Sequence, residues 1–304
     1  MKSKIAKGIL EAILIIIAII LTILIYYITA DIQTKIPTKV EKTCNIETKQ
    51  YKGRNIFIIT TNEKQTNKKI LYFHGGSYMA EATSNHWKFI EQLAKDTGAT
   101  IILPDYPLTP KYTYKDVFNM VEPLYKEIIE QIGSENLIIM GDSAGGGLSL
   151  ALEELLGEQD IPMPAKTILI SPWLDVRLNN PEIEKIEKLD TILNKEALRL
   201  AGIAYASNEG MENYLVNPID GDLSKLQNVT ILIGTHDILN PDVKLLQQRA
   251  QQQQKELNTK QEENIQQIEI KEYEQAKHIW IIDQNSSQEL VDQGYQNIIE
   301  LINK

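Results

Sequence analysis

The stretch LIIMGDSAGGGLSLALEELL, residues 137–156, decides the fold. Its first four residues, Leu137 to Met140, are an apolar run of the kind that makes a fully buried strand, and Gly146 to Leu156 reads as a helix opening on small residues. Between them lies Gly141-Asp142-Ser143-Ala144-Gly145, a G-x-S-x-G sequence at a strand-to-helix turn. In that context the motif reads as a nucleophile elbow, a sharp turn that lifts the serine hydroxyl above the sheet and aims the next N–H at the same point. Ser143 is therefore the candidate nucleophile and Ala144 a candidate oxyanion donor. Glycines around a serine also serve ordinary tight turns, so the meaning of the motif depends on its neighbours.

Upstream, the strand Lys69 to Phe73 runs into His74-Gly75-Gly76-Ser77-Tyr78. Two glycines after a buried strand leave backbone N–H groups free to approach a ligand, because no Cβ blocks them. A loop of this type after the third strand supplies the second half of an oxyanion hole in esterase elbows. Gly75 and Gly76 are the candidate donors here; with Ser77 in the next position, the sequence leaves open which of the three amides points inward.

A serine hydroxyl needs a base, and the chain has four histidines. His74 belongs to the glycine loop, His86 lies in a polar segment beside Trp87, and His236 directly precedes Asp237. His278 follows the strand-like run Ile268 to Tyr273 and precedes a C-terminal helix, the place of the third member in the order Ser, Asp/Glu, His. Val229 to Ile233 reads as the preceding strand, and Asp237 is the first carboxylate beyond it. Asp237 would hold the imidazole of His278 in the tautomer that accepts the serine proton.

Six blocks together resemble one family: HGGSY at 74–78, DYPLTP at 105–110, GDSAGGG at 141–147, SPWLD at 171–175, GTHDIL at 234–239 and AKHIW at 276–280. They are similar to the hormone-sensitive-lipase group of α/β-hydrolases, carboxylesterases in particular, over nearly all of the chain after residue 50. The resemblance implies a triad of Ser143, Asp237 and His278, with oxyanion donors at Gly75, Gly76 and Ala144. It implies hydrolysis of a small-molecule or lipid ester with short to medium acyl groups; the sequence carries no Walker-type loop, dinucleotide fingerprint or metal-spaced His/Cys cluster, so no cofactor or metal is expected. The family usually has a third glycine where this chain has Ser77, which leaves amide substrates, as in formamidase-like relatives, as an alternative. Transfer of the acyl group to another acceptor would use the same motifs, and a non-catalytic receptor on the same fold is a further alternative.

The chain has 304 residues, 43% of them hydrophobic, enough for one α/β domain with a full core. A net charge of −10 argues against a nucleic-acid partner, since phosphate binding needs a basic surface. The single cysteine, Cys44, excludes an internal disulfide.

Ile9 to Ile28 is dominated by isoleucine and leucine and interrupted only by Glu11; as a helix it would span about 30 Å, the thickness of a bilayer core. Lys2, Lys4 and Lys7 precede it. Their charge predicts a cytoplasmic N-terminus and an extracytoplasmic enzyme held by a single-pass anchor over residues 1–30. The alternative is a signal peptide cleaved near Ile28-Thr29-Ala30, giving a secreted enzyme; the length of the apolar run favours the anchor.

Residues 31–55 are polar and read as a tether, with the catalytic domain running from 56 to 304. Within it the expected elements alternate strand and helix: strands at Ile56 to Thr60, Lys69 to Phe73 and Ile101 to Leu103, helices at Trp87 to Asp96 and Asp116 to Ile132. This alternation predicts a mostly parallel central sheet with helices on both faces. Residues 175–217, carrying a helical stretch from Lys195 to Tyr205, resemble the family's helical cap over the acyl pocket, with Trp173, Leu174, Tyr205 and Tyr214 as candidate pocket residues. The glutamine-rich stretch 247–267 reads as a solvent-washed helix built on Val243, Leu246, Ala250 and Leu257.

Overall fold

Runs of five to seven residues, the inner ones rich in Ile, Leu, Val and Phe, form the strands of one sheet. The structure, a computed structural model, describes residues 33–62, 65–257, 268–283 and 285–304. Its strands are β1 (Asn45–Tyr51), β2 (Arg54–Thr60), β3 (Lys69–Phe73), β4 (Thr100–Pro104), β5 (Leu137–Asp142), β6 (Lys166–Ile170), β7 (Val229–Gly234) and β8 (Ile268–Tyr273). They lie in the order β1-β2-β4-β3-β5-β6-β7-β8, antiparallel where β2 meets β1 and β4, and parallel from β4 through β8.

Alternate residues of each inner strand face opposite layers, as the two-residue period of a strand requires. In β3, Ile70 and Tyr72 join the core under helices α2 (Ser84–Thr97) and α8 (Gln288–Asn303), while Leu71 and Phe73 pack with α3 (Tyr114–Ile132) and α4 (Ala144–Glu158). Helix α7 (Asn240–Leu257) packs Val243, Leu246 and Ala250 over β7 on the same side as α4. Helix α2 starts at a capping box in which Thr83 and His86 exchange hydrogen bonds, and it ends at Gly98 in the left-handed region.

Register decides where chemistry can occur. Phe73 pairs with Gly141 across the β3–β5 ladder, so the glycine loop after β3 leaves the sheet beside the turn after β5. Gly234 pairs with Tyr273, which brings the loops that carry Asp237 and His278 side by side. All three loops leave the carboxyl ends of parallel strands, where open α/β sheets hold their ligands.

The segment read as a tether is corrected in part. Thr38–Glu41 forms a short helix, α1, and Asn45–Tyr51 pairs along its whole length with β2. Val40 and Cys44 are buried, and the Thr34 hydroxyl donates to Asp105 Oδ1 at 2.7 Å. The ordered domain thus begins well before residue 56. Strand β1 shows no apolar alternation because it is an edge strand with most of its side chains in solvent.

Between β6 and β7 stand two helices, α5 (Ile183–Ile186) and α6 (Lys195–Ala206). Helix α6 turns Leu198, Ala201, Tyr205 and Ala206 into the core that contains Trp173 and Tyr78. Among the described residues no helix is long and apolar enough to cross a membrane. The anchor expected at residues 1–30, and positions 258–267 of the glutamine-rich stretch, lie outside the described residues.

Candidate active site

At the end of β5 the chain turns through Ser143 with φ 51° and ψ −120°, a conformation that non-glycine residues rarely adopt. The surrounding structure holds it there: Ser143 N–H donates to Ile170 O at 2.9 Å, and Ser143 O accepts from Trp173 N–H and Gly147 N–H. The flanking glycines make the approach possible. A Cβ on Gly145 would lie 2.0 Å from Phe73 O, and one on Gly141 would lie 2.3 Å from Gly145 O, both far inside contact distance.

The side chains of Ser143, His278 and Asp237, drawn from three distant stretches of chain, meet. His278 Nε2 is 2.9 Å from Ser143 Oγ, and His278 Nδ1 is 2.9 Å from Asp237 Oδ2. A carboxylate only accepts, so Nδ1 carries the proton and donates it, and Nε2 is left to accept from the serine hydroxyl. Asp237 Oδ1 in turn accepts Leu239 N–H at 3.0 Å. All three residues are buried. Burial works to lower the pKa of His278, but the charge and hydrogen bond of Asp237, together with smaller help from Asp190 and Asp142, outweigh it; the net shift is upward.

Each loop is fastened from behind. Asp190 Oδ2 accepts Ile238 N–H at 3.1 Å next to Asp237, and Asn240 donates to Gly234 O at 3.0 Å. Ser171 Oγ accepts Ile279 N–H at 3.1 Å next to His278.

The glycine loop meets the elbow through Asp142, which is fully buried. Its Oδ1 accepts Gly75 N–H at 3.0 Å and the Tyr72 hydroxyl at 2.6 Å, and its Oδ2 lies 3.1 Å from His86 Nε2. The Gly75 amide is therefore engaged by a carboxylate, which corrects its expected place among the oxyanion donors: the loop turns this N–H toward Asp142. Gly76, Ser77 and Ala144 N–H make no hydrogen bond among the described residues. Gly76 has φ 119°, and a Cβ there would lie 2.8 Å from Ala80 O.

His74 is not poised to titrate near neutrality. Burial, with His86 nearby, pulls its pKa down to about 4, and its ring stacks on Tyr106 with centroids 4.5 Å apart. Tyr106 OH donates to His74 O at 2.7 Å. His86 is buried although the sequence around it is polar. Its Nδ1 accepts Thr83 N–H at 2.9 Å, so its proton sits on Nε2 and is donated to Asp142.

Of the expected pocket residues, two come to the site. Tyr205 on α6 stacks on Tyr78 of the glycine loop, centroids 3.6 Å apart, and Trp173 stacks on Tyr78 at 5.8 Å. Leu174 packs instead with Leu150 and Ile219 in another part of the core, and Tyr214 bonds Glu158 at the far end of α4. Sequence reasoning missed the supporting roles of Asp142 and His86. Asp142 stood inside the motif itself, but nothing in the sequence says where its carboxylate points.

A protein-family model described as alpha/beta hydrolase fold matches residues 70–281. An esterase of Acinetobacter venetianus is 32% identical over 186 residues, 60% of this chain and 61% of that protein, so the match takes in about three-fifths of the relative's length. A candidate esterase of Staphylococcus aureus superposes with a TM-score of 0.80 at 26% identity, covering 90% of this chain and 88% of that one. A hormone-sensitive lipase from a metagenome library superposes at 0.76 with 26% identity, covering 86% of each chain.

Proposed function

Because the chain belongs to the α/β-hydrolase fold family, we propose that it is a serine hydrolase that cleaves carboxylic esters through an acyl-enzyme. The observation that carries this reading is the unbroken relay Ser143–His278–Asp237, with two contacts of 2.9 Å. Neutral His278 accepts the proton of Ser143 as Oγ attacks the ester carbonyl. The imidazolium so formed is stabilised by Asp237, and the tetrahedral oxyanion is held by the Ala144 and Gly76 amides, with Ser77 beside them. His278 then gives its proton to the leaving alcohol; water, deprotonated by the same imidazole, attacks the acyl-enzyme and frees the acid. Each oxyanion donor contributes on the order of 3 kcal/mol to lowering the barrier.

Short to medium acyl groups are the substrates in this reading, with the stacked rings of Tyr78, Tyr205 and Trp173 beside the elbow as the surface that would meet them. In this reading residues 175–217 act as the cap, with Tyr205 as their contact to the glycine loop. The test is a graded series of p-nitrophenyl esters: turnover should be greatest for short acyl chains, and Ser143→Ala should abolish it. Undiminished turnover in the purified variant would overturn the assignment.

Residues 9–28 serve in this reading as a single-pass membrane anchor that places the domain outside the cytoplasm, supported by the apolar run and the lysines before it. The protein should stay with membranes through an alkaline carbonate wash and be digested by protease added to intact cells. Release by the wash, or protection from the protease, would contradict this placement.

A further inference from the structure

Asp142 gathers both ends of the loop that carries the oxyanion donors. The loop leaves β3 at His74 and ends where α2 begins at Ser84. Near its start, Gly75 N–H is held by Asp142 Oδ1; just beyond its end, His86 Nε2 donates to Asp142 Oδ2. Tyr72 OH, on the strand that leads into the loop, reaches the same carboxylate. The fit is close: a Cβ on Gly75 would stand 2.3 Å from Asp142 Oδ2 and 3.0 Å from Ser143 Cβ. Between the two tethers the loop closes on itself, with Met79 N–H and Ala80 N–H both donating to Gly76 O at 2.9 Å.

We infer that Asp142 and His86 form a positioning pair for the oxyanion hole, setting the distance between the loop amides and Ala144 N–H. The geometry gives the reason. Asp142 immediately precedes the nucleophile, so its backbone is part of the elbow while its side chain grips the loop, and any displacement of one half of the hole is carried to the other. His86 makes this grip directional. Its Nδ1 is already occupied as the acceptor of Thr83 N–H in the α2 capping box, which leaves only a donor for Asp142 and fixes which carboxylate oxygen faces the loop. Burial would favour the neutral acid, but His86 and the donated hydrogen bonds hold the carboxyl below the usual range, so it remains an acceptor for all three donors. Neither residue touches the substrate.

The inference rests on the serine-hydrolase reading, and the experiment separates the two. Wild type, Asp142→Asn, His86→Gln and the double variant are purified, and active sites are counted by phosphonate titration. Then kcat and KM for a short p-nitrophenyl ester and Ki for a trifluoromethyl ketone are measured. The ketone forms a hemiketal whose oxyanion occupies the hole. Asp142→Asn keeps the shape but presents an NH2 donor where donors converge; His86→Gln keeps an N3 acceptor for the helix cap and removes the imidazole donor. The expected result is a fall in kcat per titrated site of tenfold or more in Asp142→Asn, with KM within threefold and Ki raised by the same factor as kcat/KM falls. His86→Gln moves in the same direction, and the double variant is no worse than Asp142→Asn alone. Changes within twofold, a fall in kcat with Ki unchanged, or losses that multiply in the double variant would overturn the inference. If Asp142→Asn does not fold, the kcat and Ki ratios of His86→Gln decide alone. A wild type that neither turns over esters nor takes up the phosphonate would instead defeat the hydrolase reading.

Discussion

Ser143 occupies a positive-φ turn that only a crowded surrounding can enforce, and the positions two residues to either side, Gly141 and Gly145, are glycines because carbonyls pass where their side chains would stand. His278 is held by Asp237 in the tautomer that serves as base, and the same carboxylate raises its pKa above the ordinary value near 6.5. The sign follows directly. Neutral imidazole is the working form, so activity is lost as pH falls through the raised value, and the acid limb of kcat/KM should have its midpoint above 6.5. In Asp237→Asn burial is opposed only by the smaller effects of Asp190 and Asp142, so the limb should move to lower pH, while kcat falls by roughly 10⁴-fold through loss of the tautomer. A limb that stays in place in that variant would assign it to another group. The three members of this relay were legible in the sequence because motif and chain order agree. The direction of the Gly75 amide was not, because it depends on where a loop conformation turns one N–H.

Helix α4 has a feature that its sequence pattern does not announce. Glu153 and Glu154 are both buried, and no carboxylate oxygen of either has a hydrogen-bond partner among the described residues. Burial raises the Glu153 pKa to about 8, and burial together with Glu153 raises that of Glu154 well above the usual carboxyl value. A carboxyl with a raised folded-state pKa favours the native state while both states are protonated. That contribution is lost as pH rises from the unfolded value near 4.5 through about 8. Glu153→Gln, which stays neutral, should therefore lose less stability than the wild type between pH 6 and pH 9, read as the urea midpoint. Parallel losses would show that Glu153 does not titrate there. Strand β1 illustrates the same gap between pattern and structure. Its exposed side chains carry no hydrophobic period, although its backbone covers the whole edge of β2. A strand buried on both faces, such as β3, was readable to the residue, because nearly every position there must be apolar.

Across the whole molecule, the order of the parallel strands converts three separate stretches of chain into one site. Strand β5 lies between β3 and β6, and β7 beside β8, so the elbow, the glycine loop and the two loops of the relay all emerge from the same end of the sheet. Alternation of strand and helix made the class of fold readable; the order of strands was not, because it depends on pairings distant in sequence. The net charge of −10 and the apolar N-terminal run bear on where the protein acts and not on how. The central claim is that Ser143 is the activated nucleophile, and labelling with a fluorophosphonate followed by peptide mapping tests it most directly. The reagent should modify Ser143 alone, with ester hydrolysis lost in proportion to the label incorporated. Loss of hydrolysis with the label on a different residue, or no label on a protein that turns over esters, would contradict the account.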